Sequence, residues 1–127
     1  MFSSAIANIV TDASGNATVY LTHGMNRKPN GFLVMLKYTP GTLDTGAVLT
    51  ITGESSGVPI MIKTGAGTSV VFYYPRALIN QTADAAAGAS GTEFIPIKNE
   101  RIKVVVASGG NAKAGSIEAT LMVPAAF

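Results

Sequence analysis

The chain has a single imidazole, His23, and no cysteine. Hydrolytic chemistry built on Ser, His and Asp would have to use His23 as its base, and thiolate nucleophiles, thiolate metal sites and His clusters are excluded by composition. His23 precedes Gly24 in an expected loop, and no nucleophile or orienting acid stands at a spacing that points to it. A structural or solvent-exposed histidine is the plainer reading.

The remaining candidates are weaker. Gly88-Ala89-Ser90-Gly91 resembles a nucleophile elbow but continues with Thr92 where the motif needs Gly, and no strand-then-long-helix context surrounds it. Lys63-Thr64-Gly65-Ala66-Gly67-Thr68 and Lys113-Ala114-Gly115-Ser116 contain the residue types of a phosphate loop in the wrong order, with strands expected to follow. Turn chemistry accounts for both. Asp12, Ser14 and Asn16 have the alternate spacing of oxygen ligands that opens a calcium loop, yet Gly15 comes too early and no Glu closes the loop. The acids Asp44, Asp84, Glu54, Glu93, Glu100 and Glu118 form no evident glycosidase dyad, and solvated acids are the default. The sequence thus assigns no catalytic, cofactor-binding or metal residue, implies no cofactor, and points away from an enzyme.

Aromatic residues suggest contact instead. Phe72-Tyr73-Tyr74-Pro75 and Tyr38-Thr39-Pro40 place rings beside prolines at expected strand ends. Core or sheet-edge packing is the plain reading, and an interface anchor is the functional one. Val123-Pro124-Ala125-Ala126-Phe127 carries an aromatic beyond a strand-breaking proline, which suits a tail that docks on a neighbouring subunit or frays.

Composition agrees. Hydrophobic residues make up 47% and charged residues 13% of 127 residues, about half the usual charged share, as expected where part of the surface is covered by copies of the chain or by a larger assembly. The nine Lys and Arg are scattered, with Arg27-Lys28 the only adjacent basic pair, so the clustered basic footprint of a nucleic-acid binder is missing. The start, Met1-Phe2-Ser3-Ser4-Ala5-Ile6, has no basic lead-in or apolar run of signal-peptide length, and apolar stretches such as Phe32 to Leu36 are far short of a membrane helix. Neither export nor a membrane partner is expected.

Short runs rich in Val, Ile, Thr, Tyr and Phe, broken by Gly, Asn, Ser, Asp or Pro, predict an all-β antiparallel sandwich. Expected strands are Ala5–Thr11, Ala17–Thr22, Gly31–Tyr38, Ala47–Thr52, Pro59–Thr64, Val70–Pro75, Glu93–Ile97, Arg101–Ala107 and Ser116–Val123. Asp12–Asn16 predicts a hairpin, as do Glu54–Gly57, Gly65–Thr68 and Ser108–Asn111. In the last strand Ile117, Ala119, Leu121 and Val123 should face the core, with Glu118 and Thr120 outward. Phe32–Leu36, apolar on both faces, suits a central strand or one covered on both sides. His23–Asn30 and Leu78–Gly91, the latter including Ala85-Ala86-Ala87, lack strand character; the second suits a short helical turn or a surface loop that orders against a neighbour. Nothing divides residues 1–127 into more than one domain.

The strand-turn pattern resembles small virion structural proteins of tailed bacteriophages, particularly the jelly-roll capsid cement or decoration proteins. The residues that carry it are Ala5 with Asn8-Ile9-Val10-Thr11-Asp12, Leu49-Thr50-Ile51-Thr52-Gly53-Glu54, Phe72-Tyr73-Tyr74-Pro75-Arg76, and Glu100-Arg101-Ile102-Lys103-Val104-Val105-Val106-Ala107-Ser108-Gly109-Gly110. The resemblance implies a jelly-roll-like sandwich of eight or nine strands, made in the host cytoplasm, that assembles as a homo-dimer or trimer on the outside of the phage head. There it would tie neighbouring major capsid protein subunits together, with multivalency supplying strength. The alternative is a tail, neck or spike-associated module that recognises host carbohydrate, with Tyr38, Tyr73 or Tyr74 stacking on sugar rings.

Overall fold

The computed structural model describes residues 1–80 and 87–123. Its eleven strands are β1 (Phe2–Val10), β2 (Ala17–Leu21), β3 (Gly31–Thr39), β4 (Val48–Gly53), β5 (Pro59–Lys63), β6 (Val71–Tyr73), β7 (Ala77–Asn80), β8 (Ala87–Glu93), β9 (Ile95–Ile97), β10 (Ile102–Ala107) and β11 (Ala114–Met122). All nine expected strands are present, shifted by a few residues at their ends.

Two antiparallel sheets face each other. One has the order β1-β11-β3-β6, with β9 also on β3, and the other the order β2-β10-β4-β5. Counting β6 and β9 as one position gives the strand order of a jelly roll. That merger follows from the register: β6 pairs Val71, Phe72 and Tyr73 with Tyr38, Lys37 and Leu36, and β9 continues along the same partner, with Ile95, Pro96 and Ile97 opposite Leu33, Phe32 and Gly31. One edge-strand position is therefore interrupted, the chain leaving the sheet after Tyr73 and returning to it at Ile95.

Alternation builds the core. Ala5, Ala7 and Ile9 of β1, Ile117, Ala119 and Leu121 of β11, and Leu33, Leu36 and Tyr38 of β3 meet Leu21, Leu49, Ile51, Ile102, Val104 and Val106 of the other sheet. Burying such side chains stabilises the fold by about 1.5–3 kcal/mol each before chain entropy is charged against it. β3 is a central strand, hydrogen-bonded to β11 on one side and to β6 and β9 on the other, with Leu33, Leu36 and Tyr38 in the core and Phe32 on the outer face. Within it Val34 has no Cα partner, the pairing passing from Met35–Thr120 to Leu33–Leu121.

Three expected hairpins are corrected. Asp12–Asn16, Gly65–Thr68 and Ser108–Asn111 each connect strands of opposite sheets, and only Glu54–Gly57 joins paired neighbours, β4 and β5. Turn residues supply the local bend in either case; pairing is decided by which sheet receives the next apolar face. Two of these crossing loops lie against each other, Thr11 Oγ1 donating to Gly110 O at 2.6 Å and the N–H of Gly109 to Gly15 O at 2.9 Å, while Gly65–Thr68 is held by the β3–β4 connection, the N–H of Ala66 donating to Ala47 O at 2.9 Å.

The expected loop or helical turn at Leu78–Gly91 is also corrected. Ala77–Asn80 and Ala87–Glu93 pair as a two-stranded antiparallel ribbon, with Ala77 opposite Glu93 and Leu78 opposite Thr92. Glycine and alanine made this arm look strandless, and Gly91 lies against the Ile79 side chain across the ribbon. Residues 81–86, including Asp84, Ala85 and Ala86, and the tail 124–127 lie outside the described residues.

Candidate interaction surfaces

The chemistry-bearing residues are mostly engaged by the backbone. His23 Nδ1 lies 2.7 Å from Ser4 O; a carbonyl can only accept, so this nitrogen carries the proton. His23 also closes a small loop, its N–H donating to Arg27 O at 3.0 Å around a 3-10 turn at Gly24–Asn26. Asp12 Oδ1 accepts the N–H groups of Ser14 at 2.9 Å and Asn16 at 3.0 Å, so the carboxylate organises its own turn. In the two glycine-containing segments, the N–H groups of Ala66 and Gly67 donate to Ala47 O and Thr45 O, and Lys113 N–H to Thr11 Oγ1. Gly91 lies within β8, so its segment has no elbow before a helix.

Two acids converge on the β4–β5 turn. Glu54 forms a two-point ion pair with Arg101, Nε to Oε2 at 2.6 Å and Nη2 to Oε1 at 2.5 Å, and the guanidinium lies 4.0 Å from the Tyr20 ring centre. Arg101 holds the Glu54 carboxyl below its ordinary range against a smaller opposing effect of burial, with Lys28 and Lys103 assisting. Glu100 is buried, and its Oε1 accepts the N–H groups of Ser55 at 2.9 Å and Ser56 at 3.0 Å. Burial alone would push its carboxyl up, but the Ser56 and Ser55 donors outweigh that and the repulsion from Glu54, leaving it lowered. A general acid–base pair needs its two carboxyls pushed apart, whereas both of these are held ionised. They brace a turn. Among the described residues no three His, Cys, Asp or Glu groups are placed to hold a metal ion.

The aromatic candidates divide. Tyr38 is fully buried, which removes it as a sugar-stacking platform; its alternation with Leu36 sends it into the core. Tyr73 is half-buried on the same side, while Phe72 and Tyr74 are exposed, Tyr74 by 61%.

Two apolar surfaces are uncovered among the described residues, one in the Leu78–Gly91 segment expected to order against a neighbour and one on the face that includes Phe32. The ribbon makes only marginal contact with other elements among the described residues, and Leu78 and Ile79 are 61% and 46% exposed. The second surface is the outer face of the β1-β11-β3 sheet, where the register aligns Phe2, Met122, Phe32 and Pro96 in one row across the strands. A cleft of about 440 Å³ lies among Phe32, Met122, Phe94 and Glu93. Another of about 440 Å³ is walled by Ser3, Ser4, His23, Arg27, Lys28 and Asn30, among others. The signal for the row was available: β1 alternates Phe2, Ile6 and Val10 against the buried Ala5, Ala7 and Ile9, making both faces apolar. No protein-family model and no curated protein sequence matches the chain.

Proposed function

We propose that this chain is a structural adhesion module of a virion, a capsid decoration protein that binds the outside of a phage head and holds neighbouring major capsid protein subunits together. The observation that carries the reading is the β7–β8 ribbon. An isolated two-stranded ribbon is marginal in water, and a paired third strand or an apolar face packed on a partner is the usual remedy. Here the ribbon leaves an interrupted edge strand and presents Leu78 and Ile79 to solvent. The sandwich is the rigid body, and the ribbon is the element that gains order and buried area when it meets a shell. Low charge and the resemblance of the strand-turn pattern to that of decoration proteins support the same reading. The test is co-sedimentation with capsid shells lacking the chain. Binding to assembled shells and not to free capsid subunits is expected, and failure to bind shells overturns the proposal.

Exposed Tyr74 at the base of the ribbon favours a second reading, a carbohydrate-recognition module of a tail or spike. A glycan array on which the protein binds and Tyr74→Ala does not would support it.

A further inference from the structure

The cleft of about 440 Å³ where β1 begins and the loop from β2 enters β3 has a one-sided chemistry. Arg27 and Lys28 bring two cations to its wall, Ser3, Ser4, His23 and Asn30 bring polar side chains, and no acid lines it among the described residues. The acid that acts on Lys28 is Glu54, which lies outside this wall and is already held at two points by Arg101.

The polar groups are left as donors. Asn30 Oδ1 accepts the N–H of Asn99 at 3.1 Å. An N–H can donate only to the oxygen of an amide, so this bond fixes which way the Asn30 amide points and leaves its own N–H donors to the cleft. Ser3 has the inward parity of Ala5 and Ala7, and its hydroxyl is buried with no protein partner among the described residues. Buried hydroxyls ordinarily have a partner, and the cleft that Ser3 lines is where one can be supplied.

The loop that carries these groups is held in place before any ligand arrives. His23 Nδ1 donates to Ser4 O at 2.7 Å, the N–H of His23 to Arg27 O at 3.0 Å, and the N–H of Glu100 to Pro29 O at 3.2 Å. Together with the bond from Asn99 to Asn30, these tie the loop to β1 and to the turn before β10. Met25, inside the loop, is kept at φ 63, a left-handed conformation that a residue other than glycine holds only when its surroundings impose it. A preformed wall of donors loses little freedom on binding.

We infer that this cleft is a binding site for a small oxyanion-bearing molecule, a carboxylate or phosphate carried on a body of monosaccharide size. The planar guanidinium of Arg27 suits two-point contact with such a group, Lys28 adds charge, and the Asn30 amide and Ser3 hydroxyl complete the donor set. The cleft volume lies within the roughly 300–1,000 Å³ of small-molecule sites. The inference does not rest on the adhesion reading, and its test contains no shells.

The test is an amide-resolved NMR titration of the full chain with sodium glucuronate and with glucose phosphate, against neutral glucose and against sodium chloride at matched ionic strength. Glucuronate, glucose phosphate or both are expected to shift the amides of residues 3–4, 23–28 and 30 saturably, and which of them binds tells carboxylate from phosphate. Arg27→Glu, at an exposed position, is expected to weaken binding at least about tenfold. Asn30→Asp keeps an oxygen for the Asn99 N–H while replacing the amide donors with a second acceptor, so it should weaken binding to a similar extent with the circular dichroism unchanged. The inference is overturned if neither anion gives saturable shifts at these residues, or if sodium chloride or glucose reproduces them. A folded Arg27→Glu or Asn30→Asp variant that binds like the wild type overturns it equally.

Discussion

Arg76 Nη1 donates to the main-chain carbonyl of Val34 at 2.9 Å, across the gap where the edge strand is interrupted. Val34 is the residue of β3 without a Cα partner on β11, and on its other side β6 stops opposite Leu36 while β9 resumes opposite Leu33. The guanidinium thus occupies the place that an uninterrupted strand would fill. It also donates to Pro75 O at 2.8 Å and stacks on Phe94, joining the residues where the chain leaves the sheet to those where it returns. The ribbon is fastened to the sandwich at this point.

Arg76→Ala is therefore expected to destabilise the protein by about 2 kcal/mol, because it strands a carbonyl that had a charged donor. Urea unfolding measures this. Hydrogen exchange should show the loss concentrated in 76–80 and 87–97 rather than in β2 or β10. Arg76→Lys is expected to recover less than half, since an ammonium cannot bridge two carbonyls and lie flat on Phe94 at once.

Glu100 gives a pH prediction. Its folded carboxyl is lowered from an ordinary 4.5, so the stability it adds is fully present above that value and is lost as the pH falls through the lower folded value. Glu54 shifts in the same direction and adds to the effect. Thermal melts from neutral pH downward should show the loss, and Glu100→Gln should show a shallower one. Glu100→Ala is expected to cost about 2–3 kcal/mol at neutral pH, through two stranded N–H donors. Gly53→Ala should be comparably damaging, since a Cβ there would lie 2.6 Å from Glu100 Oε1 and 2.7 Å from Ser56 Oγ.

The buried hydroxyls of Tyr38 and Tyr73 have no protein partner among the described residues. Burial pushes both phenols above 10.0, with Tyr73 adding to the effect at Tyr38. Tyr38→Phe keeps the ring and removes an unpaired polar atom, so it is expected to be neutral or to stabilise by about 1 kcal/mol. Leu36→Ala, two residues away, should cost about 2–5 kcal/mol. Paired denaturation curves check both.

Leu78 separates the ribbon's role from folding. Leu78→Asp places a charge on an exposed ribbon position and should change the unfolding free energy by no more than about 0.5 kcal/mol. Under the adhesion reading it should nevertheless sharply weaken co-sedimentation with shells. Equal binding by the variant would take the ribbon out of the contact.

The sandwich was legible because its signal is periodic: Ile117, Ala119 and Leu121 against Glu118 and Thr120 declare one wet face and one dry one. The sheet order was not, because Asp12–Asn16 and Ser108–Asn111 have turn chemistry that suits a hairpin and a sheet-to-sheet crossing equally well. The ribbon was hidden by Gly and Ala at 87–91, whose strand character depends on pairing with β7, Ala87 opposite Asn80, rather than on their own preference. Tyr38 follows the plainer of its two readings: core packing rather than an interface anchor or sugar platform, as its parity with the buried Leu36 requires. The apolar row was half legible: the alternation of Phe2, Ile6 and Val10 declares a second apolar face on β1, but Phe2, Met122, Phe32 and Pro96 become neighbours only through the register of four strands.

The most direct test of the adhesion reading is electron cryomicroscopy of phage-head shells assembled with and without this chain, at a resolution that traces strands. The reading predicts added density for the sandwich on the outer surface, bridging adjacent capsid subunits through the β7–β8 ribbon. Shells that are identical with and without the chain, or density confined to the tail, would contradict it.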